Sequence, residues 1–246
     1  MAEEGFLEGF ARSHPRGIFL DFDGTLSEIV SRPELARHIA GAHTLLTELA
    51  KRNELVAVVS GRPTAGLHAL LDSAGIEVFG QYGIESDHAG ALGTEQLREV
   101  VRRAAEEVEG AWVEDKGASL AVHYRAAADP VGAEARLRRS LERVGEEHGL
   151  ILLPGKMVLE LAPGNTPGKG AVVLRVARAR GLTGCLFAGD DQADIAAFRA
   201  LDELEAEGVV TVKVAVRSEE TPAELLESAD LIVERPSGLL AMLTRL

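Results

Sequence analysis

The segment Gly17-Ile18-Phe19-Leu20-Asp21-Phe22-Asp23-Gly24-Thr25 runs from an apolar stretch straight into two acids and a glycine. The unbroken apolar residues Ile18, Phe19 and Leu20 before a turn signal predict a strand buried on both faces and ending in carboxylates. Further strands are predicted at Leu55 to Val59, Ile76 to Phe79, and segments 185–188, 209–215 and 230–233, all short and rich in apolar residues. Amphipathic stretches predict helices between them over 34–52, 64–73, 168–181, 191–203, 222–227 and 237–245. Such alternation predicts an α/β fold, a Rossmann-like parallel sheet covered on both faces. In such sheets ligands bind beyond the carboxyl ends of the strands.

Residues 86–162 depart from this pattern. Gly90 and Gly93 precede a charged helix over 94–109, strand-like runs follow at 111–115 and 118–125, and Asp115-Lys116-Gly117 forms the turn between them. A second charged helix at 131–148 leads to another hairpin, 150–153 with 157–161, around Pro154-Gly155. Helix-strand-strand given twice predicts a small α+β domain with an antiparallel sheet, inserted at 86–162 into a core built from 1–85 and 163–246.

Composition narrows the partners. The 246 residues are 46% hydrophobic and 26% charged, which is ordinary for a globular protein. The net charge of −13 argues against nucleic acid, whose binders need a basic stripe, and against anionic membrane surfaces. No apolar run approaches the ~20 residues needed to span a bilayer, and Glu3 and Glu4 do not fit a signal peptide. A cytoplasmic monomer acting on a small molecule is expected. Cys185, the single cysteine, lies in an apolar run and reads as a buried structural thiol.

Polar groups collect at the predicted strand ends. Asp21 and Asp23 end the first strand, Ser60-Gly61-Arg62 the second, and Gly189-Asp190-Asp191 with Asp194 the one at 185–188. Lys169 opens a helix after Gly164, Pro167 and Gly168. Taken singly, Asp-x-Asp-Gly is a turn, Ser-Gly a loop start, Asp190-Asp191 a helix cap and Lys169 a solvated lysine. A calcium loop counted from Asp21 fails, because its twelfth position is Arg32 rather than Glu. Together the groups supply what phosphoryl transfer requires: an oxygen nucleophile, charge neutralisation and donors to non-bridging oxygens. Asp21 is the expected nucleophile and Asp23 the acid/base. Asp21, the Asp23 carbonyl and Asp190 are expected Mg²⁺ ligands. Ser60, the backbone at Gly24 and Gly61, and Arg62 are expected to meet the substrate, with Lys169 balancing charge.

D-F-D-G-T-L at 21–26, S-G-R at 60–62, Lys169 and G-D-D-x-x-D at 189–194 resemble the four motifs of the haloacid dehalogenase superfamily. That resemblance implies an aspartyl-phosphate on Asp21, Mg²⁺ ligands from Asp190, Asp191 and Asp194, and an inserted cap. V-V-S-G-R-P (58–63), Q-Y-G-I-E (81–85), V-E-D-K-G-A-S-L-A-V-H-Y-R (113–125) and G-K-M-V-L-E-L-A-P (155–163) further resemble trehalose-6-phosphate phosphatases. The narrower resemblance implies that Glu114, Lys116 and Glu160 grip sugar hydroxyls, and the Gly and Pro content of segments near 84–87 and 162–166 fits hinges. Without it, Glu114 to Lys116 read as a hairpin tip and Glu160 as an outward strand residue. His123 to Arg125 stay open between packing and substrate contact, and Trp112 reads as cap core. The chain departs from the family pattern where Ala193 and Ile195 replace Thr and Glu and where Gly168 precedes Lys169. Phosphatases of sucrose phosphate or glycosyl-phosphoglycerate, a phosphomutase and a non-catalytic sugar-phosphate binder are the alternatives.

Overall fold

The computed structural model describes residues 2–71, 75–84, 92 and 94–246. It divides into two compact units, Met1–Gly83 with Pro167–Leu246, and Ile84–Thr166. Glu85, Gly90, Gly93 and most of the expected hinge at 84–87 lie outside the described residues.

In the first unit six parallel strands form one sheet in the order β10-β9-β8-β1-β2-β3. They are β1 (Arg16–Leu20), β2 (Leu55–Val59), β3 (Ile76–Phe79), β8 (Gly184–Gly189), β9 (Val210–Arg217) and β10 (Leu231–Glu234). Alternate residues of each central strand serve opposite faces. Ile18, Leu20, Val56, Val58, Leu186 and Ala188 pack beneath α1 (Ala2–Arg12), α2 (Ala42–Ala50), α3 (Thr64–Leu71) and α9 (Arg235–Leu243). Phe19, Ala57, Val59, Cys185 and Phe187 pack beneath α6 (Gly168–Ala179) and α7 (Asp194–Ala206). Burial on both faces is why these strands carry no polar alternation. Burial also pushes the Cys185 thiol up to about 12, leaving it protonated and inert. The short α8 (Ala223–Ser228) completes this unit, in which β1, β2 and β8 set Asp21, Ser60 and Asp190 just beyond their carboxyl ends.

The second unit holds four antiparallel strands in the order β4-β5-β7-β6. These are β4 (Trp112–Asp115), β5 (Leu120–His123), β6 (Leu150–Gly155) and β7 (Val158–Pro163), with helices α4 (Glu95–Glu106) and α5 (Pro130–His148). Leu120, Val122, Leu159 and Leu161 bury against Leu97, Val101, Leu137 and Leu141 of those helices.

Three sequence expectations change. The helix expected over 34–52 is a 3-10 turn at Pro33–Leu35 followed by α2 from Ala42. Gly41 takes φ 87° before α2, and Ser27 bridges His38, so the intervening backbone is not helical. The second hairpin turns at Lys156-Met157 rather than Pro154-Gly155, because Gly155 pairs with Val158. Ala2–Arg12, given no element in the sequence, is helical and buries Leu7 and Phe10. No helix of the described residues is long and apolar enough to cross a membrane.

Candidate active site

Just past β1, the Asp21 N–H still donates to the Ala188 carbonyl at 2.9 Å, holding Asp21 beside the end of β8. The chain then folds tightly, with the Leu26 and Ser27 N–H groups both reaching the Phe22 carbonyl. Gly24 adopts φ +87°, and a Cβ there would lie 2.0 Å from Asp190 Oδ2. Thr25, buried in the same turn, donates from Oγ1 to Asp190 Oδ1 at 3.2 Å. Sequence reasoning gave Thr25 no role, although it sits within D-F-D-G-T.

Lys169, in the first turn of α6, points its ammonium into this group. Its Nζ lies 2.9 Å from Asp21 Oδ1, 2.6 Å from Asp194 Oδ1 and 3.8 Å from Asp191 Oδ1. Asp194 Oδ2 accepts the backbone N–H groups of Asp190 and Asp191 at 2.8 and 2.9 Å, which shapes the loop after β8. Gly189 makes room for that carboxylate, since a Cβ would come 2.3 Å from Asp194 Cγ. Asp191 Oδ1 accepts from the N–H groups of Ala193 and Asp194, capping the turn that leads into α7.

Burial pushes the Asp21 carboxyl up to about 7; Lys169 opposes that rise, while Asp191 and Asp190 add to it. Asp194 is raised well above the ordinary carboxylate range, again mainly by burial. Burial alone would pull Lys169 down, but Asp191, Asp194 and Asp21 hold it well above its ordinary value, so it stays cationic. One ammonium among four carboxylates leaves an excess of negative charge. Asp21, Asp190 and Asp194 present carboxylate oxygens within 4.8 Å of one another. Hard oxygen donors with surplus negative charge fit a small divalent cation such as Mg²⁺.

Ser60 is buried, and its Oγ accepts the Arg62 N–H at 3.3 Å. At Gly61 a Cβ would meet the Tyr82 ring at 2.7 Å. Asp23 stands apart from the buried acids, with both its oxygens facing the Arg62 guanidinium.

The other expected residues lie in the second unit and form two groups. Lys116 Nζ donates to Glu160 Oε2 at 2.8 Å, and Ser119, which sequence reasoning missed, donates to the same carboxylate. Glu114 Oε2 meets His123 Nε2 at 2.8 Å, and Trp112 stacks on the His123 ring at 4.1 Å. Trp112 and Glu114 share one face of β4, whereas Val113 packs on the apolar cluster. Trp112 therefore stands on the polar face, contrary to the sequence reading, because side chains alternate along a strand.

A family model for trehalose-phosphatase matches residues 19–229. The chain belongs to the trehalose-phosphatase family. A trehalose-phosphate phosphatase of Mycobacterium avium is 37% identical over 226 residues, covering 83% of this chain and 56% of that protein. The chain thus spans about half the length of the curated trehalose-phosphate phosphatases it matches. The C-terminal domain of Candida albicans trehalose-6-phosphate phosphatase superposes with a TM-score of 0.84 at 21% identity, over 100% of this chain and 96% of that one. A haloacid dehalogenase-like hydrolase from Bacteroides thetaiotaomicron shares the fold with a TM-score of 0.56 at 17% identity, over 94% of this chain and 98% of that one. The chain is therefore an α/β protein that shares the fold of that haloacid dehalogenase-like hydrolase.

Proposed function

We propose that the protein hydrolyses trehalose 6-phosphate to trehalose and phosphate through a phosphorylated Asp21. The observation that carries this reading is the buried Asp21 at the end of β1, paired to Lys169 and gathered with Asp190 and Asp194. In the first step Asp21 attacks phosphorus, the bond from phosphorus to the sugar oxygen breaks, and that oxygen takes a proton from Asp23. In the second, water attacks the phosphorus of the aspartyl-phosphate and gives its proton to Asp23, releasing phosphate and restoring Asp21. Lys169 keeps Asp21 oriented and offsets its charge, while the Ser60 hydroxyl and the N–H groups near Gly24 and Gly61 donate to phosphoryl oxygens.

Asp21 and Asp190 would hold Mg²⁺ with the Asp23 carbonyl, and Asp194 is close enough to join them. Bound Mg²⁺ would supply neutralisation of the negative charge shared by Asp21 and the substrate oxygens. Asp191 is assigned to capping and charge. The inserted unit is assigned substrate selection, with Glu114, Lys116 and Glu160 meeting sugar hydroxyls, since carboxylates accept and an ammonium donates to them.

The test is phosphate release from trehalose 6-phosphate, sucrose 6-phosphate and glucose 6-phosphate, with Mg²⁺ or EDTA, for wild type and Asp21→Asn. Release only by wild type with Mg²⁺, and fastest from trehalose 6-phosphate, is expected. Activity that survives either EDTA or Asp21→Asn overturns the mechanism, and equal rates on all three sugars overturn the substrate.

A further inference from the structure

Arg62 is tied to the carboxylate assigned to proton transfer. Its Nε donates to Asp23 Oδ2 at 2.6 Å and its Nη2 to Asp23 Oδ1 at 2.7 Å. Nη1 donates to the Pro33 carbonyl at 3.0 Å, and the guanidinium carbon lies 5.4 Å from the centre of the Phe22 ring. Three of the five guanidinium N–H groups thus go to acceptors in the segment that follows β1. The Arg62 side chain is 15% exposed and that of Asp23 is 37% exposed, so the pair is held at a partly open edge. A bidentate fork fixes the plane of a carboxylate as well as its distance, which a lysine cannot do.

We infer that Arg62 is a positioning residue for Asp23, holding its carboxyl group in one orientation for proton transfer, rather than a ligand of the phosphoryl group. This deepens the proposed phosphatase reading and rests on it. The two roles have different chemical signatures. A sugar oxygen leaves as an alkoxide unless it receives a proton, so its departure depends on Asp23. A nitrophenolate is stable enough to leave without one. Loss of positioning therefore slows the sugar ester selectively, whereas loss of a phosphoryl ligand slows both esters.

The experiment measures first-turnover release of trehalose from trehalose 6-phosphate and of nitrophenolate from p-nitrophenyl phosphate, with saturating Mg²⁺. The proteins are wild type, Arg62→Gln, Arg62→Lys, Asp23→Asn and the double variant Asp23→Asn/Arg62→Gln. Arg62→Gln should slow trehalose release roughly 10- to 100-fold, within the range that general acid catalysis supplies. Nitrophenolate release should stay within about threefold of wild type, which also shows that the variant is folded. Arg62→Lys, which keeps the charge and loses the fork, should resemble Arg62→Gln. The double variant should be no slower than Asp23→Asn alone, because residues acting as a unit are not additive. Equal losses on both esters, full rescue by lysine, or multiplied losses in the double variant would overturn the assignment. A wild-type protein inert on both esters would instead overturn the phosphatase reading, and this role with it.

Discussion

Gly24 sits at φ +87°, and a methyl group on its α-carbon would fall 2.0 Å from Asp190 Oδ2. Two penalties therefore meet at one position, the left-handed backbone and a collision with a buried carboxylate. Gly24→Ala should lower stability by about 2–3 kcal/mol, read from the urea midpoint. It should also weaken apparent Mg²⁺ affinity at least about tenfold, because it displaces a carboxylate that is held by its neighbours. The glycine was legible in the sequence as a turn. Its collision partner was not, since Asp190 arrives from the other half of the chain. Asp21 carries a pH-dependent consequence. Its carboxyl group is held at about 7 in the folded protein, against an ordinary value of 3.8, because burial disfavours the charge. Between those values the folded state retains a proton that the unfolded state has lost. Without divalent cations the protein should thus be most stable below about pH 4 with respect to this group. That contribution is lost as the pH rises through about 7, a change of order a few kcal/mol. Urea midpoints at pH 5 and pH 8 in EDTA should show the decline, Asp21→Asn should flatten it, and added Mg²⁺ should oppose it.

Turns and strand parity decide how the elements present these groups. Gly117 takes φ +81° in the β4–β5 turn, where its N–H donates to Asp115 Oδ1 at 2.8 Å and no atom lies within 4 Å of an added Cβ. Gly117→Ala should cost about 1 kcal/mol from backbone strain alone, and Gly117→Asn should cost less, since Asn tolerates that region. Chemical denaturation of the three proteins checks the order. Apolar runs without polar alternation made β1, β2 and β8 readable, and Asp115-Lys116-Gly117 gave away its hairpin. The helix expected over 34–52 was misread because the apolar spacing continues through Gly41, where the backbone takes φ 87°. Trp112 was misread because a lone tryptophan suggests a core, whereas the strand's alternation assigns that place to Val113. Ser119 escaped notice because its partner Glu160 lies on β7, next to β5 in the sheet and distant in sequence.

At the scale of the whole molecule, the two units enclose separate apolar cores. Leu141→Ala, in the core of the second unit, should destabilise it by about 2–5 kcal/mol. Amide exchange should then accelerate in β5 and β7 while β8 keeps its protection; equal acceleration in β8 would refute separate cores. An insertion was expected because parallel-strand signals stop before residue 86 and resume after 162. The gathering of Asp21, Lys169, Asp190 and Asp194 was legible only as a set of strand-end motifs, because their distances depend on which strands become neighbours. That neighbour order also bears on how the chain is made. The register sets Arg16 beside Gly184 and Leu20 beside Ala188, so β1 gains its second neighbour only after β8 has left the ribosome. Until then β1 and β2 can pair, but the far side of β1 is an open apolar edge, the kind of surface that recruits other chains. A segment with its own core can fold during that wait, which shortens the loop still to be closed. The acidic cluster is completed only when Asp194 emerges, so a nascent chain should gain nothing from divalent cations until that residue has left the ribosome.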